Sequence, residues 1–198
     1  MICAIVLAAG ESTRFGSPKP LASIHGTPAV RVICDTLLAA VDRVVVVLGH
    51  EAEAVHPALP RDERVKSVVN GAYRRGMTSS FQAGLKLVPS NAEGILLMPV
   101  DMPFLRPATV ELIVRTFKKE LPLILVPAYD GRPGHPPVFS APLTDDFKAL
   151  GDTEPLSNVQ HRFKDRVLRL PVEDPGVIRT FSTPQELARL LQTPQNPA

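Results

Sequence analysis

The run Ile2-Cys3-Ala4-Ile5-Val6-Leu7 constrains the fold of this chain more than any other stretch. Its residues are apolar throughout, mostly small or β-branched, and they stop at the small-residue turn Ala8-Ala9-Gly10. An alternating pattern would mark a strand wetted on one face. An unbroken one marks a strand covered on both, as in a parallel sheet flanked by helices. With little or no side chain at Ala8, Ala9 and Gly10, a ligand can lie directly against the main chain. Arg14 and Lys19 follow on the same loop with Gly16 between them. Free N–H groups beside two cations suit a polyphosphate; the competing reading is a plain turn with two solvated cations. No Gly-Lys-Ser/Thr closes the loop as in a Walker motif, and the glycines are too few for G-x-G-x-x-G.

The remaining elements follow the same style. Thr27-Pro28 reads as an N-cap and a first-turn proline, opening a helix to about Ala40 with Val30, Ile33, Cys34, Leu37 and Leu38 on one face. Arg43–Leu48 is a second apolar strand, and Glu51 to Leu59 a short helix interrupted by Pro57. Arg64–Val69 is a third strand. Ser79 with Gln82 has the form of a capping box, which predicts a helix over Ser80–Leu87. Gly94–Met98 is a fourth strand, Pro107–Lys119 a helix and Leu123–Val126 a fifth strand. This alternation predicts an α/β fold with an open, doubly wound, mostly parallel sheet, whose ligands sit at the carboxyl ends of the strands.

Past Ala128 the alternation stops, leaving a small irregular C-terminal part. Asp130–Pro137 reads as a long turn, Val138-Phe139 as a short strand and Pro142–Leu150 as a helix. An irregular segment runs to Phe163, and Val167–Val172 is expected as an antiparallel edge strand. Thr183-Pro184-Gln185-Glu186 combines N-cap, proline and capping-box glutamate, so a last helix runs to about Leu191. Residues 193–198 read as a disordered tail, and 1–192 as one domain.

A net charge of +2 is too small to argue for nucleic acid or an anionic membrane as partner. Cys3 and Cys34 fall in apolar segments and read as buried, reduced thiols. With no basic leader ahead of the first strand and no run near the ~20 residues of a membrane span, a cytoplasmic setting is expected.

Three further places could carry chemistry. Asp101, in Pro99-Val100-Asp101-Met102-Pro103, ends an apolar strand at the expected ligand edge. It could cap the local turn, or serve as a hard oxygen ligand for Mg²⁺ opposite the phosphate loop. Gly76-Met77-Thr78-Ser79-Ser80 offers hydroxyls and helix-start amides, though N-capping accounts for Ser79 almost as well. Gly134-His135-Pro136 places an imidazole in the irregular region facing the same edge. His25, His50, His56 and His161 read as surface or turn residues.

Leu7-Ala8-Ala9-Gly10-Glu11-Ser12-Thr13-Arg14-Phe15-Gly16-Ser17-Pro18-Lys19 resembles the L-A-A-G-x-S-x-R-x-G-x-x-K loop of the MobA-like nucleotidyltransferases. Asp101-Met102-Pro103-Phe104-Leu105 resembles their D-x-P-x-L turn, Gly76–Ser80 their G-M-x-x-S element and Gly134-His135-Pro136 their G-H-P segment. The resemblance covers roughly residues 3 to 140. It implies a nucleotide-binding half, 1–127, and an acceptor-side half, 128–192. It implies Arg14, Lys19 and Asp101 as catalytic residues, with Asp101 holding Mg²⁺. Leu7, Ala8, Ala9, Gly10, Ser12, Arg14, Gly16, Lys19, Gly76, Ser79 and Ser80 would bind nucleotide, and Gly134 and His135 the acceptor. Leu-Ala-Ala-Gly and Gly-Met lean to the cytidylyl branch. That branch moves CMP from CTP, or another NTP in its place, to the terminal phosphate of molybdopterin, releasing pyrophosphate, and implies a molybdenum enzyme as a further partner.

Two departures stand out. The family's G-D-x-G-A-R is Gly151-Asp152-Thr153-Glu154-Pro155 here, and its D-I-D-T-P-E-D is Thr180-Phe181-Ser182-Thr183-Pro184-Gln185-Glu186. A second metal ligand is then water, Asp152 or missing. Two alternatives stay open: a sugar-phosphate or alditol-phosphate nucleotidyltransferase, and a non-catalytic nucleotide-binding accessory protein for a molybdenum enzyme.

Overall fold

A computed structural model describes residues 1–151 and 153–192; Asp152 and the segment 193–198, read above as a possible metal ligand and a tail, lie outside the described residues. The strands are β1 (Ile2–Ala8), β2 (Ser23–Ile24), β3 (Thr27–Pro28), β4 (Arg43–Leu48), β5 (Val65–Val69), β6 (Gly94–Pro99), β7 (Ile124–Tyr129), β8 (Arg132–Pro133), β9 (Val138–Ser140) and β10 (Val167–Pro171). The α-helices are α1 (Ala29–Leu38), α2 (Ala52–Val55), α3 (Met77–Leu85), α4 (Pro107–Glu120), α5 (Thr144–Lys148), α6 (Ser157–Arg162) and α7 (Pro184–Gln192).

The main sheet runs β10-β7-β9-β6-β1-β4-β5, with β8 paired to β7. As the unbroken apolar run predicts, β1 is central, parallel to both β4 and β6 and buried along its whole length. Ala4, Val6 and Ala8 pack on one face against Val30, Ile33 and Cys34 of α1 and Ile113 and Phe117 of α4. Cys3, Ile5 and Leu7 pack on the other with Phe81 of α3, Phe147 of α5 and Val159 of α6. Each fully buried Val or Ile stabilises this arrangement by about 1.5–3 kcal/mol. α3 lies so close to the sheet that a Cβ at Gly84 would meet Ile5 Cγ2 at 2.7 Å and Val47 Cγ2 at 2.9 Å. Both cysteine thiols are free and buried, and burial pushes each up to about 12.

Five local expectations are corrected. Thr27-Pro28 is not a helix cap: both residues are extended, pairing with Ser23-Ile24 in a small ladder, and α1 starts at Ala29. α3 starts at Met77 and not at Ser80, because Gly76 adopts φ +107°, open to glycine, and turns the chain into the helix early. Ser79 and Gln82 do not form a capping box: the Ser79 hydroxyl donates to the Gly76 carbonyl at 2.8 Å, and the Gln82 amide donates to the Phe147 and Leu150 carbonyls at 3.0 and 2.9 Å. Asp130-Gly131 forms a two-residue hairpin turn between β7 and β8, both residues at positive φ (49° and 73°), the type I′ conformation that Asp-Gly favours. Lastly, β10 is an edge strand but runs parallel to β7. The segment read as irregular contains α6, which returns the chain toward the β7 start, so Val167 pairs with Ile124. The last helix is capped as expected, Glu186 N donating to Thr183 Oγ1 at 3.2 Å and Thr183 N to Glu186 Oε2 at 3.2 Å.

Candidate active site

From β1 the chain moves outward to β4 and β5, then crosses back to place β6 on the other flank of β1. Such a switch point opens a crevice at the carboxyl ends of the two central strands. Leu7 pairs with Pro99, and Val100 N donates to the Leu7 carbonyl at 3.1 Å. The loop after β1 and the turn after β6 therefore leave the sheet side by side.

The loop after β1 is closed by its own backbone. Ser12 takes a left-handed φ of 56°, its carbonyl accepts from Phe15 and Gly16 N–H at 2.8 and 3.1 Å, and its hydroxyl accepts from Lys19 N–H at 3.0 Å. This folds Lys19 back towards β6, where its Nζ meets Asp101 Oδ2 at 3.0 Å. The two side chains are only 13% and 27% exposed, so water screens this pair less than one on the open surface. Phe181 supports both partners. Its ring centroid lies 5.7 Å from Lys19 Nζ, and its N–H donates to the Asp101 carbonyl at 3.1 Å.

Below and beside this pair lies a cavity of about 920 Å³. Leu7, Ala8, Ala9, Gly10, Ser12, Lys19, Gly76, Ser80, Asp101, Gly134 and His135, all expected at the site, line it together. Gly134 packs so tightly on residue 177 that a Cβ there would collide with the Val177 carbonyl. The segment is held on both sides, Gly134 N donating to Pro127 O at 2.8 Å and His135 N to Val177 O at 2.7 Å. Burial holds the His135 imidazole below its ordinary pKa, against the opposing pull of the Asp101 charge.

Arg14, Gly16 and Ser79 stand outside those walls. Arg14 is exposed, near enough to Glu186 for its charge to help lower that carboxyl, after the Ser182 backbone N–H and alongside Lys19. Gly16 turns the loop at φ +81°. Ser79 is buried, its hydroxyl facing the Gly76 and Ala72 carbonyls at 2.8 and 3.2 Å and accepting from Asn70 Nδ2 at 3.0 Å. Asn70 also donates to Ser80 Oγ at 3.1 Å, which sets that cavity-lining hydroxyl.

Several wall residues were not singled out from sequence: Tyr73, Arg132, Ser157, Gln160 and Thr180. Only Arg132 had a usable signal, the Asp-Gly turn beside it. Among the described residues no three His, Cys, Asp or Glu side chains gather into a metal-holding group. A lone carboxylate suits Mg²⁺, which keeps water and takes phosphate oxygens as ligands, better than a metal caged by protein alone.

The MobA-like NTP transferase domain matches residues 4–167. The 2-C-methyl-D-erythritol 4-phosphate cytidylyltransferase of Nocardia farcinica (strain IFM 10152) is 44% identical over 93 residues, 44% of this chain and 39% of that protein. A probable molybdenum cofactor guanylyltransferase of Trichormus variabilis is 32% identical over 105 residues, 53% of this chain and 48% of that protein. The chain thus spans less than half the length of these two curated relatives. The crystal structure of Rv0371c from Mycobacterium tuberculosis H37Rv superposes with a TM-score of 0.84 at 30% identity, over 97% of this chain and 98% of that one. A structure of Rv0371c in complex with manganese superposes with a TM-score of 0.80 at 29% identity, over 98% and 99%. No helix among the described residues is long and apolar enough to cross a membrane.

Proposed function

Because the chain belongs to the MobA-like NTP transferase domain family, we propose that it transfers CMP from CTP to the terminal phosphate of molybdopterin, with Mg²⁺, releasing pyrophosphate. The observation that carries this reading is the Lys19–Asp101 pair, 3.0 Å apart at the switch point and opening on a cavity that reaches Gly134 and His135. Cation, carboxylate, small-residue turn and acceptor-side segment then share one space.

In the proposed reaction an oxygen of the acceptor phosphate attacks the α-phosphorus in line. A P–O bond forms there while the bond to the α,β-bridging oxygen breaks, and that oxygen leaves with pyrophosphate. The acceptor is already ionised near pH 7, so no strong general base is needed. Ala8, Ala9 and Gly10 let the triphosphate approach the main chain. Lys19 faces the oxygens on which charge grows, and Arg14 adds a second cation from the exposed part of the loop. Asp101 would hold Mg²⁺, with phosphate oxygens and water as the other ligands. The metal supplies charge neutralisation and orientation of the phosphates. The manganese complex of a similar protein supports a divalent ion here. The choice of CTP rests on the Leu-Ala-Ala-Gly and Gly-Met elements.

A second reading, a sugar- or alditol-phosphate cytidylyltransferase, is favoured by the likeness to the methylerythritol phosphate enzyme. Pyrophosphate release, measured for each NTP with Mg²⁺ and either molybdopterin or 2-C-methyl-D-erythritol 4-phosphate, separates the two. Turnover with CTP and molybdopterin is expected. Turnover only with the alditol phosphate moves the assignment, and tight CTP binding without turnover leaves a non-catalytic accessory protein.

A further inference from the structure

We infer that Arg132 anchors the terminal phosphate of the acceptor, making the β7–β8 hairpin a phosphomonoester subsite distinct from the triphosphate loop. The inference rests on the transferase reading for its substrate class and on charge and geometry for its residue.

An acceptor ending in a phosphate dianion must come close to a triphosphate. Two anions repel at that range, and in a crevice partly closed to water the repulsion is stronger than in bulk. Something positive has to hold the incoming phosphate. Among the described residues that line the cavity, the formally charged side chains are Lys19, Asp101 and Arg132. Lys19 pairs with Asp101 at 3.0 Å here, and the loop that carries it serves the triphosphate in the proposed reaction, so it is not left over for a second phosphate. His135 shares the cavity, but burial holds its imidazole towards the neutral form. Arg132 is left as the positive charge on the acceptor side.

Its placement is built and not incidental. The Asp130-Gly131 turn has both residues at positive φ, which fixes a two-residue hairpin with Tyr129 opposite Arg132 and Ala128 opposite Pro133. Two residues on, Gly134 and His135 are pinned to the Pro127 and Val177 carbonyls. The Arg132 backbone is thereby held in register with the acceptor-side wall, while its exposed side chain keeps the freedom to meet a ligand. Ser157 and Gln160 of α6 reach the same cavity and add neutral hydrogen-bonding groups. A guanidinium fits a phosphate with two parallel N–H···O bonds, which an ammonium cannot reproduce.

The test compares wild type, Arg132→Gln and Arg132→Lys, each saturated with Mg²⁺ and the α,β-methylene analogue of CTP, which occupies the nucleotide loop without reacting. Phenyl phosphate serves as the phosphomonoester probe, with binding followed calorimetrically. Arg132→Gln is expected to weaken the probe about tenfold or more, and Arg132→Lys to recover part of that loss. In turnover with molybdopterin, Arg132→Gln should raise the acceptor KM by a similar factor and leave the CTP KM within about twofold. Failure of the wild type to bind the probe, or equal binding by Arg132→Gln, overturns the subsite. A wild type that binds the probe through Arg132 but releases no pyrophosphate with any acceptor sinks the transferase reading and keeps the subsite.

Discussion

Phe181 touches both members of the proposed catalytic pair: its N–H donates to the Asp101 carbonyl at 3.1 Å, and its ring centroid lies 5.7 Å from the Lys19 ammonium. The ring is fully buried, tilted at 60° against Phe15 of the same loop that carries Lys19, with centroids 5.3 Å apart. One late residue therefore braces the cation from behind and the carboxylate from its backbone. Phe181→Ala should lose about 3–5 kcal/mol of stability, as for other emptied aromatic sites. Phe181→Leu is the sharper variant, because it keeps apolar volume and removes the π-face. Its kcat should fall at least about two- to fivefold, the lower end of what a cation–π contact contributes, since this ring is buried. Urea unfolding and steady-state kinetics read the two effects separately. Unchanged kinetics in Phe181→Leu would reduce the ring to packing.

Asp101 and Lys19 should respond differently to neutralisation. Asp101→Asn keeps the shape but loses the charge that would hold Mg²⁺, so kcat should drop by about 100-fold or more with the fold intact by circular dichroism. Lys19→Ala should raise the CTP KM and lower kcat, each by about tenfold, since the ammonium would bind the triphosphate in the ground state and hold it more strongly as charge grows in the transition state. Undiminished turnover in Asp101→Asn removes that carboxylate from the chemistry.

His135 gives a pH signature. Its folded pKa lies below the ordinary 6.5, with burial as the main cause. The unfolded chain then binds the proton more readily than the folded one, so stability rises with pH across that window. The contribution is fully present above the ordinary value and is lost as pH falls through the lowered one. Urea midpoints measured from about pH 7.5 down to 5 should decline more steeply for wild type than for His135→Gln. Parallel declines would show that the imidazole is as free to protonate when folded as when unfolded.

What the sequence disclosed follows from how locally each feature is encoded. The buried strand Ile2–Ala8 and its turn are written in consecutive side chains, and so are β6 and the Asp101 turn that follows it. Their meeting follows from parallel register alone, so the core of the candidate site was legible. The orientation of β10 was not, because it depends on α6, six residues whose burial of Val159 only the folded core reveals. Ser79 looked like a cap because the conformation of Gly76, which starts α3 two residues ahead of it, has no signature in the side chains. Arg132 is a lone arginine by sequence, and only the cavity groups it with His135 and Asp101. Asp130-Gly131 did carry a readable hairpin signal.

Asp174 supplies the last prediction, and its strength lies in the number of donors it satisfies. Its carboxylate is 4% exposed, with Oδ2 accepting from Arg106 N at 2.9 Å and Thr109 Oγ1 at 2.8 Å, and Oδ1 accepting from Gly176 N at 2.8 Å. Arg106 caps α4 just beyond the Asp101 turn, and Gly176 precedes the Val177 carbonyl that holds His135 N–H. One carboxylate thus clamps the segment bearing Asp101 to the segment bracing His135. Asparagine cannot replace it in either orientation, because its NH₂ would face a donor on one side or the other. Asp174→Ala should lose about 3 kcal/mol or more, since buried N–H groups are left unpaired, and Asp174→Asn should lose at least about 1 kcal/mol. Denaturant titrations of the two variants read this directly, and an Asp174→Asn protein as stable as wild type would mean that the clamp tolerates a donor where the geometry allows only acceptors.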